Sequence, residues 1–119
     1  AETMMNFPNI GRVMLENATI LPRVGEGATV HYAHDRQAAT VVEISNDWAN
    51  VWVQEDHAAR LDSNGENGPQ SYAFARDLDG YRSLFTLRES GEWVADGYDD
   101  NGPRVTFGDR THFWDFTAF

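Results

Sequence analysis

Four histidines are the residues best suited by type to metal or proton chemistry, and two of them form a His31-x-x-His34 pair followed by Asp35. On a strand, positions three apart project to opposite faces, so both rings reach one ion only if the chain turns between them. His57 and His112 are remote in sequence, and four hydrogen-bonded or surface histidines, with no metal and no cofactor, are the simpler expectation. Calcium-type ligands occur in Asp62-Ser63-Asn64-Gly65-Glu66, Asp77-Leu78-Asp79-Gly80 and Asp96 to Asn101. Counted from Asp62, however, Asn67 stands where a calcium loop needs glycine, and Ala73 where it needs a bidentate glutamate. Asx turns account for the same residues, since Asp and Asn side chains bond the nearby backbone and Gly supplies positive φ.

Hydrolytic and nucleotide-type motifs are missing as well. Ser90 sits in a plain Glu-Ser-Gly turn and not in a nucleophile elbow. The carboxylate pairs Glu55-Asp56 and Asp99-Asp100 are sequence neighbours, which a strand sends to opposite faces instead of to either side of one substrate bond. Gly25-Glu26-Gly27 lacks the third glycine and the helix of a dinucleotide fingerprint. No catalytic residue is therefore expected.

The C-terminal run from Phe107 to Phe119 is different, with five aromatics in thirteen residues. One strand cannot bury positions 113, 114 and 116 on a single face, so some ring covers a barrel mouth or stays outside. Two Asp-Arg pairs, Asp35-Arg36 and Asp109-Arg110, fall at turns. A guanidinium can tie a turn through several bonds and still stack on a ring. Arg36 and Arg110 are expected to do the former, with Arg110, His112 and Trp114 near Tyr32 around one end of the fold. Tyr32, Arg36, Arg110, His112 and Trp114 are thus the candidate binding residues, because Trp, Tyr and Arg dominate binding hot spots.

The elements that must position these residues read as strands. From Gly25 onward, turn signals rich in Gly, Asn, Asp and Pro recur at short intervals, and between them apolar and polar residues alternate. The alternation turns Val30, Val42, Ile44, Val51, Val53, Phe85, Leu87 and Trp93 inward, with Tyr72 and Phe74 as a further inward pair. Six or seven short strands would leave raw edges unless the sheet closes, so an all-β, small antiparallel barrel or rolled sheet of SH3-like size is expected over 24–119. The breaker-rich stretch Asp62 to Pro69 is expected to separate an N-terminal set of strands from a C-terminal meander. Residues 1–23 read as an irregular arm that caps one barrel end or, alternatively, pairs with a second copy in a homo-oligomer.

Nineteen acids against nine bases give a net charge of −10, and all nine bases are arginine. Such a field repels the phosphate backbone, so no nucleic-acid partner is expected. No apolar run is long enough to cross a bilayer, the start lacks the basic flank of a signal peptide, and cysteine is absent. The expectation is a protein with no membrane partner.

Val24-Gly25-Glu26-Gly27-Ala28-Thr29-Val30 and Asp35-Arg36-Gln37-Ala38-Ala39-Thr40-Val41-Val42-Glu43 carry a family resemblance, continued in Val53-Gln54-Glu55-Asp56, Ala59 to Gly65, Leu87 to Val94 and Phe107-Gly108-Asp109-Arg110. Over residues 24 to 119 the chain resembles a family of small uncharacterised proteins encoded largely by bacteriophages and found in viral metagenomes. That resemblance implies a viral origin and a small β fold, and it carries over no catalytic residue. The expected function is a non-enzymatic accessory or interaction module with a protein partner, in the cytoplasm of an infected host cell or associated with the virion. An acidic inhibitor that mimics DNA before a host nucleic-acid-binding defence protein is the alternative, and a small ligand-binding or hydrolytic barrel the third.

Overall fold

Among the described residues, stretches of alternating polarity between the turns form eight strands: β1 (Gly27–His31), β2 (Arg36–Ile44), β3 (Asn50–Glu55), β4 (His57–Arg60), β5 (Tyr72–Ala75), β6 (Arg82–Leu87), β7 (Trp93–Ala95) and β8 (Arg104–Phe107). The computed structural model describes residues 21–65 and 68–113. Six strands close into an antiparallel barrel in the order β1-β2-β3-β6-β7-β8, and β4 and β5 make a separate two-stranded sheet. Closure removes the free edges that an open sheet of this size would expose. No helix among the described residues is long and apolar enough to cross a membrane. Most of the expected N-terminal arm (1–20) and Trp114 lie outside the described residues.

Each barrel strand turns one side inward. Ala28, Val30, Ala39, Val41, Val51, Val53, Phe85, Leu87, Trp93, Val105 and Phe107 fill the interior, and Trp93 meets Phe107 edge to face at 5.7 Å. Two sequence expectations are corrected here. Val42 is not a core residue: the β2–β3 register shifts between Val41 and Glu43, so Val41 points inward before the irregularity and Ile44 packs against the core after it. One extra residue in a strand reverses the phase of everything beyond it. Tyr72 and Phe74 are not an inward pair either, because β5 belongs to the outlying hairpin, where their rings stack at 6.5 Å and Phe74 is exposed.

The stretch Asp62 to Pro69 falls between β4 and β5, and so between the N-terminal barrel strands β1–β3 and the C-terminal meander β6–β8, as the sequence suggests; the two strands it joins form the outlying hairpin. Asp62 closes its base, taking bonds from Arg60 Nε, Asn64 N and Ser71 N. Those donors hold its carboxyl well below the usual carboxylate range and account for it without calcium.

The outer face of β1 and β2 is also covered. Thr29, Ala38 and Thr40 point away from the core yet are buried, because residues 109–113 lie across them. The Thr29 hydroxyl donates to Asp109 O at 2.8 Å and accepts from Thr111 N at 2.9 Å. Phe113 and Arg36 exchange both backbone hydrogen bonds, which pins the end of the segment to β2.

Arg110 is the bolt of this cover. Its Nε donates to Asp56 Oδ2 at 2.6 Å and its Nη2 to Thr40 Oγ1 at 3.0 Å, while Thr40 Oγ1 donates to Asp56 Oδ1 at 2.7 Å. Asp56, with a side chain 1% exposed, has both oxygens satisfied, the condition under which a buried charge is tolerated. The guanidinium reaches it by crossing Gly27, where a Cβ would stand 2.8 Å from Nη1 and 2.9 Å from Cγ of Arg110.

Candidate functional site

Barrel closure sets three basic side chains side by side. His31 lies opposite Arg36 of β2 on one side and opposite Arg104 of β8 on the other. All three occupy the outward phase of their strands, as neighbours of the inward-facing Val30 and Val105. Directly opposed residues have Cβ atoms about 4.5–5.5 Å apart, and like charges so placed repel. Burial first, then Arg36 and Arg104, push the His31 imidazole below its usual range, so it is uncharged at neutral pH. Its Nε2 lies 2.7 Å from Thr106 Oγ1.

Both arginines are held by backbone carbonyls. Arg36 Nη1 donates to the carbonyls of Tyr32 (3.0 Å) and Asp35 (2.9 Å), closing the β1–β2 turn. Arg104 Nη2 reaches Asp100 O at 3.3 Å, and its Nε lies 3.3 Å from Glu92 Oε2, an ion pair at the exposed rim whose geometry makes no hydrogen bond.

The opposite wall is the loop 96–103 between β7 and β8. Arg88, the residue after β6, braces it, donating to Asp100 Oδ1 (2.8 Å), Tyr98 O (2.9 Å) and Ala95 O (3.2 Å). An Asx turn, Asn101 N to Asp99 Oδ1 at 2.9 Å, shapes its tip. Tyr98 packs on Gly102, where a Cβ would come within 2.7 Å of its Cγ, and the Tyr98 side is otherwise open. Between wall and barrel lies a cleft of about 640 Å³ lined by His31, Tyr32, Arg36, Tyr98, Asn101 and Arg104, with Asp99 and Thr106 beside them. Burial and the nearby Glu55 push the Tyr32 phenol up, which keeps it a neutral hydroxyl.

The two arginines of this lining can take an anionic group, with the Asp99 carboxylate among their neighbours. Two guanidinium groups, a neutral imidazole and two phenols converge on one space, whose size falls within the range of about 300–1,000 Å³ usual for ligand pockets. The His31–Thr106 contact has the spacing of a base and a hydroxyl nucleophile, but among the described residues no carboxylate is bonded to the other ring nitrogen to orient the imidazole.

Of the residues singled out in the sequence, Tyr32 and Arg36 line this cleft. Arg110 does not lie beside Tyr32: it sits over Gly27, at the other end of β1, locked to Asp56. His112 accepts from Ala38 N at 3.4 Å and meets Tyr72 edge-on at 4.6 Å, so it belongs to the cover over β2. Trp114 lies outside the described residues. Sequence reasoning missed His31 as a partner of Arg36, although the two flank a short turn, and it missed Arg104 and Tyr98. Nothing local marks Arg104, which reaches His31 only when β8 closes the barrel. No family model, curated protein or solved structure matches this chain.

Proposed function

We propose that the protein is a non-enzymatic binding module of phage type, acting in an infected host cell or on the virion, and that its partner places an anionic group in the cleft between Arg36 and Arg104. The observation that carries this reading is the in-register row Arg36–His31–Arg104 in a chain of net charge −10. The flanking arginines and burial hold His31 uncharged, and an anion bound between the two guanidinium groups relieves that by letting the ring take its proton. An interacting protein supplies the group as a carboxylate or phosphate, and a small ligand supplies the same chemistry.

Titration with inorganic phosphate, followed by the imidazole resonances of His31, tests the reading. Phosphate should shift these resonances and raise the His31 pKa, and Arg104→Gln should weaken the response at least fivefold. A flat titration in the wild-type protein overturns it. The DNA-mimic alternative draws on the same acidic surface, and a host-lysate pull-down separates the two. A partner of the cleft is lost on Arg104→Glu, whereas a DNA-binding partner is retained by the more acidic variant and released by salt.

A further inference from the structure

The cleft holds more than an anion site. Tyr98 is 57% exposed and fixed from behind by Gly102, while Tyr32 is 38% exposed on the facing barrel end. Both are presented to the cleft that Arg36 and Arg104 line. A ring entering it meets a π surface and guanidinium planes, the pairing that holds nucleobases without fixing their identity.

The polar groups narrow the ligand further. Asp99 would repel a bare anion, yet it stands in the same cleft, with Asn101 beside it offering both a donor and an acceptor. Asp99 accepts from Asn101 N through one oxygen, and a carboxylate has further lone pairs to offer. A ligand that suits the whole lining carries an anion at one end and hydroxyl or amino donors on a flat ring system at the other. A simple carboxylate fills one guanidinium fork, whereas a phosphate monoester has oxygens enough for two. The volume exceeds what inorganic phosphate needs and leaves room for a ring beside it.

We infer that the cleft binds a nucleoside monophosphate or a closely related small nucleotide, its phosphate between Arg36 and Arg104 and its base against Tyr98. This rests on the anion-binding reading above and goes beyond it in naming the ligand class. A single small nucleotide brings too few charges to meet the repulsion that the −10 body exerts on a nucleic-acid strand.

Calorimetric titration of the full chain with inorganic phosphate, ribose 5-phosphate and the four nucleoside monophosphates AMP, GMP, CMP and UMP tests the inference. At least one nucleotide should bind tenfold or more tighter than ribose 5-phosphate. Tyr98→Ala, a change at an exposed side chain, should abolish that advantage while leaving phosphate binding within twofold. Equal affinities for ribose 5-phosphate and all four nucleotides would refute the nucleotide seat and leave the anion site standing. Failure of phosphate itself would remove both. A short single-stranded oligonucleotide binding more tightly than every mononucleotide would also overturn the inference, since the cleft would then read a polymer.

Discussion

Gly27 and Arg110 form a pair whose coupling can be worked out from the geometry. Replacing Arg110 with Ala deletes the 2.6 Å bond to Asp56 and the 3.0 Å bond to Thr40, and leaves a 1%-exposed carboxylate with the Thr40 hydroxyl as its remaining side-chain partner. Breaking a buried pair costs about 3–5 kcal/mol. Arg110 is itself 32% exposed, so water partly replaces it, and the expected loss is about 2–3 kcal/mol. For a domain of this size that lowers Tm by about 8–12 °C.

Gly27→Ala alone should cost about 1–2 kcal/mol, as overpacking does, because the atoms nearest the new methyl all belong to Arg110 and include its stem carbon Cγ at 2.9 Å. In the Arg110→Ala background that obstacle is gone, and Ala in a strand should then be more stable than Gly by about 0.5–1 kcal/mol. The same methyl thus changes sign between the two backgrounds. Urea denaturation of the four proteins at constant m measures this directly. Equal losses from Gly27→Ala with and without Arg110 would show that the guanidinium does not rest on Gly27.

Other consequences are open to direct measurement. Phe85→Ala should cost about 3–5 kcal/mol in chemical denaturation and Val42→Ala less than about 1, and a comparable loss at Val42 would contradict the shifted register of β2. His31 and His112 both have folded-state pKa values pushed below 6.5, chiefly by burial, so their contribution to stability is full above that pH and is lost as pH falls through the folded values. His31→Gln should therefore flatten part of the decline in stability below pH 6.5, and an unchanged pH profile would show that His31 is not desolvated. In a gel shift at physiological salt, random duplex DNA should show no micromolar binding, because the net charge of −10 opposes every phosphate contact.

What the sequence discloses follows the range of the interactions concerned. Alternation within single strands is a local property, and it places Val30, Val51, Val53, Phe85, Leu87 and Trp93 in the core. In β2 the same alternation is legible but its phase is not, because both Val41 and Val42 suit the interior and the irregularity that chooses between them depends on pairing with β3. Tyr72 and Phe74 alternate like core residues, and the apolar pattern has no means of saying that β4 and β5 leave the barrel. The tie of Arg36 to its turn was legible in residue type and position. Arg104 was not, since its place beside His31 follows from barrel closure, a contact across more than seventy residues. Arg110 was legible as a hydrogen-bonding arginine, but its acceptor, Asp56, reads in sequence as half of a solvated acidic pair, and only the fold places it just past β3 beneath the 109–113 cover.

The cover over β1 and β2 also fixes an order of events as the chain folds. Thr29 and Thr111 are 82 positions apart, and β1 meets β8 across nearly the same interval, so both contacts carry the entropy of closing a long loop. Hairpins such as β1–β2 and β6–β7 close quickly, but the strand that completes the ring comes late. On a ribosome, β1 waits with one ladder unpaired and with Thr29, Ala38 and Thr40 wet until residues 104–113 have emerged. Zipping of β8 and seating of Arg110 on Asp56 then follow one another closely, and a chain stopped short of β8 keeps an open seam that offers a strand edge to any neighbouring copy.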